Sequence, residues 1–140
     1  MKKRISKYTP RGYRLSVRRS LAGKGLFTEE DIPKGMCIIE YTGRALGKKE
    51  SDESTGKYLF EVNARKTIDG NIRSNLARYI NHSCAPNCES IIAHNRVFIF
   101  SRTRIKAGAE LNYDYGKEYF DEFIGPNGCR CEKHRSAKKR

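Results

Sequence analysis

The chain has 140 residues, which suits one domain with one modest hydrophobic core. Hydrophobic residues make up 37% of the sequence and aromatic residues 10%, which is too much apolar material for a disordered chain. The sequence contains no long uncharged apolar run and therefore indicates no transmembrane helix. No apolar segment follows the basic N-terminus as it would in a secretory signal peptide.

The formal net charge of +13 is concentrated at the two ends of the chain. The first nineteen positions contain eight Lys and Arg residues and no acid, and residues 133–140 contain five more. The simplest interpretation is a pair of solvated basic tails. The functional alternative is attraction to a polyanion, DNA or a nucleosome, through a basic N-terminal arm at residues 1–12 and the basic C-terminal tail.

The five cysteines are Cys37, Cys84, Cys88, Cys129 and Cys131. An odd number of cysteines without a signal peptide argues against a disulfide framework and predicts a reducing, intracellular compartment. Reduced thiols are then available to bind a metal. Cys37 is the exception, because it lies in an apolar segment and is predicted to be a small buried side chain.

In chain order, the sequence alternates short strand patterns with turn signals. Strands are predicted at residues 13–19, 36–41, 58–62, 66–68, 90–93 and 97–101. Turns are predicted at residues 23–25 and 32–35 and at His94-Asn95, between the last two strands. Residues 47–57 are predicted to form a short helix or a loop, and residues 119–124 a short helical piece. These patterns indicate a mostly β fold with few short helices.

Several short segments combine polar residues with turn signals. Gly23-Lys24-Gly25-Leu26 is followed by Ile32-Pro33-Lys34-Gly35, and the next apolar strand ends in Glu40-Tyr41-Thr42-Gly43. Asn81-His82-Ser83-Cys84-Ala85-Pro86-Asn87 follows a short apolar run, so we interpret it as a loop held in one shape for binding. The last segment is Glu110-Leu111-Asn112-Tyr113-Asp114-Tyr115-Gly116.

In their order and spacing, these segments resemble the signature motifs of SET-domain protein lysine methyltransferases, and the resemblance covers residues 13–134. It implies the SET β-fold: several small sheets and a threaded C-terminal segment, a pseudoknot, that brings Asn81-His82 beside Tyr115. It also implies a SET domain at residues 13–124 and a post-SET-like zinc segment with a basic tail at residues 125–140, without a pre-SET region.

The resemblance further implies S-adenosylmethionine as the methyl donor. The positions that match the family's cofactor-binding residues are Lys24, Gly25, Leu26, Tyr58, Arg78, Asn81, His82 and Tyr115. Tyr115 also matches the catalytic tyrosine, and Tyr41 is expected to line the lysine channel. Tyr113 matches the product-specificity position, where tyrosine resembles the monomethylating members because its hydroxyl hinders a second transfer.

Tyrosine side chains suit this chemistry. Methyl transfer from a sulfonium is an in-line displacement that needs a neutral lysine amine, and a cationic donor nearby disfavours the ammonium form. A fixed hydroxyl and carbonyl oxygens can orient the amine and attract the polarised methyl hydrogens. Positioning therefore takes the place of a strong general base.

A zinc site is the remaining implication of the resemblance. In many SET proteins the cysteine of the Asn-His-Ser-Cys segment joins three post-SET cysteines around zinc. Cys84, Cys129 and Cys131 match, and His134 stands near the place of the missing third post-SET cysteine. Because zinc accepts Cys₃His as readily as Cys₄, we predict that these four residues bind zinc, with Cys88 in reserve. The alternative is a tail with free thiols.

The leading hypothesis is an enzyme that methylates lysine in a histone or another basic chromatin protein and mainly adds one methyl group. Because histone tails are themselves basic, either an acidic patch at Glu118, Asp121 and Glu122 attracts the peptide or the basic arms hold nucleosomal DNA. The expected location is the nucleus or chromosome in a eukaryotic or host cell and the cytoplasm in a prokaryote.

Three other functions compete with this hypothesis. The first is methylation of a non-histone protein, and the second is non-catalytic binding of DNA or chromatin on a zinc-stapled SET scaffold. The third is protease-like chemistry that pairs Cys84 with His82. We give the third little weight, because neighbouring loop positions rarely point toward each other and no orienting third group is evident.

Overall fold

The computed structural model of the chain describes residues 6–21 and 23–116. In this part of the chain, short strands carry most of the regular structure. The strands are β1 (Leu15–Ser20), β2 (Gly23–Thr28), β3 (Cys37–Tyr41), β4 (Arg44–Leu46), β5 (Leu59–Asn63), β6 (Lys66–Asp69), β7 (Asn81–His82), β8 (Cys88–Ala93), β9 (Arg96–Ser101) and β10 (Asn112–Tyr113). The helices of the described residues are α1 (Lys48–Glu53) and a 3₁₀ helix (Leu76–Tyr79).

The described strands form four small sheets. β1 pairs antiparallel with β2, β9 lies between β3 and β8, and β6 lies between β4 and β5. The fourth sheet is the parallel pair of β7 and β10. The prediction of a mostly β fold with several small sheets and few short helices is confirmed, and each of the six predicted strands overlaps an observed one.

The sequence patterns miss four strands: β2, β4 and the two-residue strands β7 and β10. The predicted turn at residues 23–25 is wrong: Gly23 pairs with Ser20 and Gly25 pairs with Arg18, so both glycines belong to the ladder of β2. β4 has only three residues and is defined by its antiparallel partner β6. Neither β2 nor β4 alternates apolar and polar residues, which is the signal that identifies a strand in a sequence.

The predicted hairpin at His94-Asn95 is confirmed. Ala93 pairs with Arg96, so these two residues alone connect β8 to β9. Both have positive φ, 52° at His94 and 61° at Asn95, as in the two-residue turns that match the twist of a hairpin.

The hydrophobic core includes residues from all the larger sheets, and β9 is its most buried strand. Val97 and Ile99 pack into the main cluster, whereas Phe98 and Phe100 pack with Cys37 in a second cluster. This division follows from the alternation of side chains along a strand. Cys37 is 1% exposed, which confirms the prediction that it is a small buried side chain.

Two contacts bring the last described segment to the centre of the molecule. The Leu111 N–H donates to the carbonyl of Leu26 at 2.8 Å, which holds the segment against β2. The next two residues, Asn112 and Tyr113, pair in parallel with Asn81 and His82. These contacts join the sequence segments that carry the predicted site. No helix among the described residues is long and apolar enough to cross a membrane.

Candidate active site

A polar network joins β1, β2 and β7 to Glu110. The side-chain nitrogen of Asn81 donates to the Lys24 carbonyl oxygen at 2.9 Å and to Oε2 of Glu110 at 2.8 Å. The Ser20 hydroxyl donates to the Glu110 carboxylate, with its Oγ 2.8 and 2.9 Å from the two carboxylate oxygens. Asn81 and the Lys24 backbone, both predicted to bind the cofactor, are therefore in direct contact.

Gly25 is required by this network. A Cβ atom at Gly25 would overlap with Oε2 of Glu110 and lie 2.9 Å from Cβ of Ser20, closer than real Cβ atoms come. Glycine therefore allows the Glu110 carboxylate to approach β2. The neighbouring Leu26 side chain is fully buried in the core, so only its backbone faces this region.

His82 connects β7 to Tyr115 and to Cys84. Its Nδ1 accepts a hydrogen bond from the Tyr115 N–H at 3.1 Å, so the ring proton of the neutral imidazole lies on Nε2. That Nε2 is 3.3 Å from the Cys84 sulfur and can donate to it. The Asp114 carboxylate is 3.8 Å from Nδ1 and largely exposed, so the Tyr115 N–H is the partner that orients the ring.

The contact between His82 and Cys84 corrects one argument made from the sequence. We expected these loop positions not to face each other, but positions two apart along an extended segment share a face. In a protease triad this ring nitrogen donates to a carboxylate, whereas here Nδ1 accepts from the Tyr115 backbone N–H. The contact between Cys84 and His82 supports the protease-like alternative, but the hydrogen bond at Nδ1 does not match the arrangement of a catalytic triad.

The predicted catalytic tyrosines lie in one row of aromatic rings. The Tyr115 hydroxyl donates to the Ile80 carbonyl oxygen, and the Tyr115 ring is 4.9 Å from that of Tyr113, centroid to centroid. The row continues from Tyr113 through Phe60 to Tyr41 at centroid distances of 6.4 and 5.4 Å. Tyr113 and Tyr41 are 5% and 4% exposed, so the Tyr115 ring packs against a buried part of this row.

Tyr41 and Tyr58 are joined at the far end of this row. The Tyr41 hydroxyl donates to the Tyr58 carbonyl oxygen at 2.8 Å. The Tyr58 ring lies 5.6 Å from the Lys57 ammonium group. The structure thus brings the Tyr58 backbone to the aromatic row, while the contact of its ring with a cofactor stays a prediction.

A groove of about 1000 Å³ opens beside the polar network. It is lined by Val17, Arg18, Arg19, Ser20, Gly23, Lys24, Arg73, Leu76, Arg78 and Tyr79. Arg78 donates to the carbonyl of Asn75 at 3.0 Å and lies 4.3 Å from the centroid of the Tyr79 ring. Two predicted cofactor residues, Lys24 and Arg78, therefore line the same groove.

The predicted metal site is described only in part. Cys84 is partly buried, whereas Cys129, Cys131 and His134 lie outside the described residues. No group of three or more His, Cys, Asp or Glu residues within the described ranges could hold a metal. Cys88 is 1% exposed in the main core, and burial raises its pKa to about 12, which disfavours the thiolate that a metal requires.

The sequence did not single out Glu110 and Ser20 as site residues. Glu110 opens the last of the segments that resemble the family's motifs, but only its contacts with β1 and β7 reveal that it belongs to the site. Ser20 lies in no motif. A polar pair whose members are far apart in the sequence leaves no periodic signal, so the fold was needed to find it.

Comparison with known proteins agrees with this geometry. A family model for the SET domain matches residues 23–116. The histone-lysine N-methyltransferase trithorax of Drosophila melanogaster is 36% identical over an alignment of 149 residues, which covers 96% of this chain and 4% of that protein. Human histone-lysine N-methyltransferase 2D is 34% identical over 118 residues, which covers 76% of this chain and 2% of the relative.

A fungal relative has a more specific name. The H3 lysine-4 specific histone-lysine N-methyltransferase of Mycosarcoma maydis is 36% identical over 104 residues, which covers 65% of this chain and 7% of that protein.

The chain belongs to the SET-domain family. It spans only a few per cent of the length of these relatives, from 2% to 7%.

Proposed function

We propose that the chain is an S-adenosylmethionine-dependent protein lysine N-methyltransferase that acts on a histone or another basic chromatin protein. The observation that carries this proposal is the β7–β10 pair, which brings His82 and Asn81 to Tyr113 and Tyr115 beside the Lys24 carbonyl. The relatives named above are all histone-lysine N-methyltransferases, which supports the same activity.

The residues around the network fit the charges of this methyl donor. The Lys24 carbonyl and the Glu110 carboxylate can accept hydrogen bonds from an ammonium group, and the basic side chains of the groove can pair with a carboxylate. Lys24, Gly25, Arg78, Asn81 and His82 are the residues that would hold the cofactor. When bound, S-adenosylmethionine supplies an electrophilic methyl group.

Tyr115 and Ile80 would orient the acceptor amine. The Tyr115 hydroxyl donates its proton to the Ile80 carbonyl, so toward an amine its oxygen would act as a hydrogen-bond acceptor. The His82 ring fixes the Tyr115 backbone, and the buried Tyr113 ring packs against the Tyr115 ring. Such a preorganised site acts by positioning a neutral amine in line with the methyl group.

The test is a radiolabel transfer assay with S-adenosylmethionine, which offers nucleosomes, free core histones and a cell lysate as substrates. Tyr115→Phe should abolish transfer. Tyr8→Phe is the matched control, because Tyr8 lies in the second hydrophobic cluster, against Phe98 and Phe100.

The outcomes of this assay separate the candidate functions. Label on a histone that is lost in Tyr115→Phe supports the proposal, and label on a ribosomal or DNA-compacting protein identifies a non-histone substrate. If calorimetry detects no cofactor binding and no substrate is labelled, the non-catalytic chromatin-binding scaffold takes its place.

We propose that the enzyme mainly monomethylates its substrate. Tyr113 is 5% exposed and its ring is 4.9 Å from that of Tyr115, so its hydroxyl lies in a confined space. Tyr113→Phe would remove that hydroxyl and make room for a methylated amine. Mass spectrometry should show a shift toward di- or trimethylated product. An unchanged product distribution would contradict this assignment.

We also propose that Cys84, Cys129, Cys131 and His134 bind a structural zinc ion that attaches residues 125–140 to the loop after β7. Support comes from Cys84, whose sulfur lies 3.3 Å from the Nε2 of His82, a donor that stabilises a thiolate. Metal analysis of the purified protein should find stoichiometric zinc, lost in Cys84→Ser and in His134→Ala. The exposed hairpin residue His94 offers the control His94→Ala, which should retain the metal.

Contact with DNA is proposed through residues 1–12 and the basic tail within residues 125–140, outside the SET domain at residues 13–124. The groove adds Arg19 and Arg73 to the positive surface of the described domain. Such contacts would place the enzyme on chromatin and let it reach basic substrates despite its own charge of +13. The corresponding location is the nucleus or chromosome of a eukaryotic or host cell, or the cytoplasm of a prokaryote.

A further inference from the structure

Glu110 places a carboxylate beside a strongly basic groove. The residues that line the groove include three Arg and Lys residues from the β1–β2 hairpin and two from the segment around the 3₁₀ helix, and none of the lining residues is acidic. A methyl donor with an ammonium and a sulfonium group carries a net positive charge, so these side chains repel it. Glu110 contacts the lining residue Ser20 directly and Lys24 through Asn81.

Both the backbone and the side chain of Glu110 are fixed. Its carbonyl oxygen accepts from the side-chain nitrogen of Asn87 at 2.8 Å, and its backbone forms a bridge with Phe27. Its carboxylate accepts from the Ser20 hydroxyl and the Asn81 amide, and Gly25 leaves room for it. A carboxylate held by this many contacts keeps its position when a ligand enters.

The Asn81 amide nitrogen lies among three oxygen atoms. These are the Lys24 carbonyl oxygen at 2.9 Å, Oε2 of Glu110 at 2.8 Å and Oγ of Ser20 at 3.4 Å. An amide nitrogen has only two hydrogens for three acceptors. The Glu110 charge decides the direction of the Asn81 side chain, because hydrogen bonds to an ionised acceptor are about twice as strong as neutral ones.

We propose that Glu110 is a positioning and specificity-determining residue of this site, an inference that rests on the proposed function. Its carboxylate holds the Asn81 amide toward the Lys24 carbonyl, and its negative charge offsets the basic groove. The consequence is a preference for the cationic S-adenosylmethionine over S-adenosylhomocysteine, the product in which the sulfonium has become a neutral thioether. Loss of that preference would slow exchange of product for fresh donor.

The test measures the affinities of both molecules by calorimetry, without any turnover. Glu110→Gln keeps the size of the side chain, removes its charge and leaves one acceptor oxygen, which can still accept from Asn81 or Ser20. We expect it to weaken S-adenosylmethionine binding by about tenfold and S-adenosylhomocysteine binding clearly less, so that the ratio of the two affinities falls. Glu89→Gln, at an exposed position of β8, is the control and should change neither affinity.

A conservative variant keeps the test decisive if Glu110→Gln fails to fold. Glu110→Asp retains the charge and shortens the side chain, so it should preserve the affinity ratio within about twofold even if both affinities fall. Loss of the ratio in Glu110→Asp, or equal affinity losses for both molecules in Glu110→Gln, would overturn the inference while the proposed function stands. A wild-type protein that binds neither molecule would overturn both.

Discussion

At the scale of single residues, a substitution at Gly25 tests whether stability and cofactor binding depend on the close approach of the Glu110 carboxylate to β2. Gly25→Ala would place a methyl group against Oε2 of Glu110 and Cβ of Ser20. The carboxylate is held by Ser20 and Asn81, and the Ser20 backbone is paired in the β1–β2 ladder, so neither neighbour makes room without losing contacts. We expect a loss of about 1–3 kcal/mol in the free energy of unfolding, as for other overpacked sites, together with weaker cofactor binding. Urea unfolding and calorimetry measure the two effects.

Gly47→Ala is the matched control for this substitution. Gly47 has a φ of −75°, and a Cβ atom added there would meet nothing within 4 Å. The free energy of unfolding should stay within about 0.5 kcal/mol of the wild-type value, as for surface substitutions in general. If the two alanine variants had equal free energies of unfolding, Glu110 could move away from β2 without destabilising the protein.

The buried Cys88 thiol should lower the free energy of unfolding as the pH becomes alkaline. Burial raises its pKa from 9.0 to about 12, so above pH 9 the unfolded chain loses this proton while the folded chain retains it. The unfolded state is thereby favoured, and the stabilisation present below pH 9 is lost as the pH rises toward 12. Between pH 8 and pH 10 this one group should lower the free energy of unfolding by about 1 kcal/mol.

Cys88→Ala isolates this contribution from other groups that titrate in the same range. The variant lacks the thiol, so its free energy of unfolding should fall less between pH 8 and pH 10 than that of the wild type. Urea midpoints at the two pH values provide the comparison. An identical fall in both proteins would show that the Cys88 thiol ionises as easily in the folded state as in the unfolded one.

At the scale of elements, Asn87 connects the loop after β7 to the segment that leads into β10. Its backbone N–H donates to Oδ1 of Asn112 at 2.9 Å, and its own Oδ1 accepts from the Asn112 N–H at 3.0 Å. Its side-chain nitrogen also donates to the Glu110 carbonyl at 2.8 Å. These bonds supplement the two-residue pairing of β7 with β10, which is too short to be stable by itself.

Asn87→Ala should therefore loosen the site as well as destabilise the fold. It leaves the Asn112 N–H and the Glu110 carbonyl without their side-chain partner, and we expect a loss of about 2 kcal/mol or more in the free energy of unfolding. Hydrogen exchange at residues 110–113 should become faster. Asn71→Ala, at an exposed position, is the control and should change stability by less than about 0.5 kcal/mol. If both variants lost equally little stability, the backbone pairing of β7 with β10 alone would hold these two segments together.

The predictability of each element follows from the range of the interactions that define it. The six predicted strands and the His94-Asn95 hairpin depend on alternation and turn residues within a few positions, so the sequence reveals them. β4 and the contacts of Glu110 depend on partners far along the chain, and β2 pairs with its neighbour β1 but does not alternate apolar and polar residues, so none of them leaves a local pattern. The residues of the β7–β10 pair were found through resemblance to a family, because a two-residue parallel pair has no periodicity of its own.

At the scale of the whole molecule, the charge of +13 works against a basic substrate. This charge would repel a free histone tail, whereas it would be attracted to the phosphates of nucleosomal DNA. The described groove carries arginines that already have other partners. Arg18 pairs with Glu29, and Arg78 with backbone carbonyls. The proposed attraction to DNA would therefore come mainly from the basic ends of the chain.

This assignment predicts different salt responses for two substrates. Each phosphate contact releases a counterion, so affinity for nucleosomes should fall with salt by close to one power of concentration per contact, while affinity for a short peptide should change little or rise. Methylation rates measured at subsaturating substrate between about 50 and 200 mM salt should follow the same trend. Replacing Lys2, Lys3 and Arg4 with Gln should make the nucleosome slope shallower, whereas Arg44→Gln, which removes a cation paired with Glu50, should not. Parallel slopes for nucleosome and peptide would mean that DNA plays no part in recognition. The acidic residues Glu118, Asp121 and Glu122 would then be the remaining source of attraction for a basic tail.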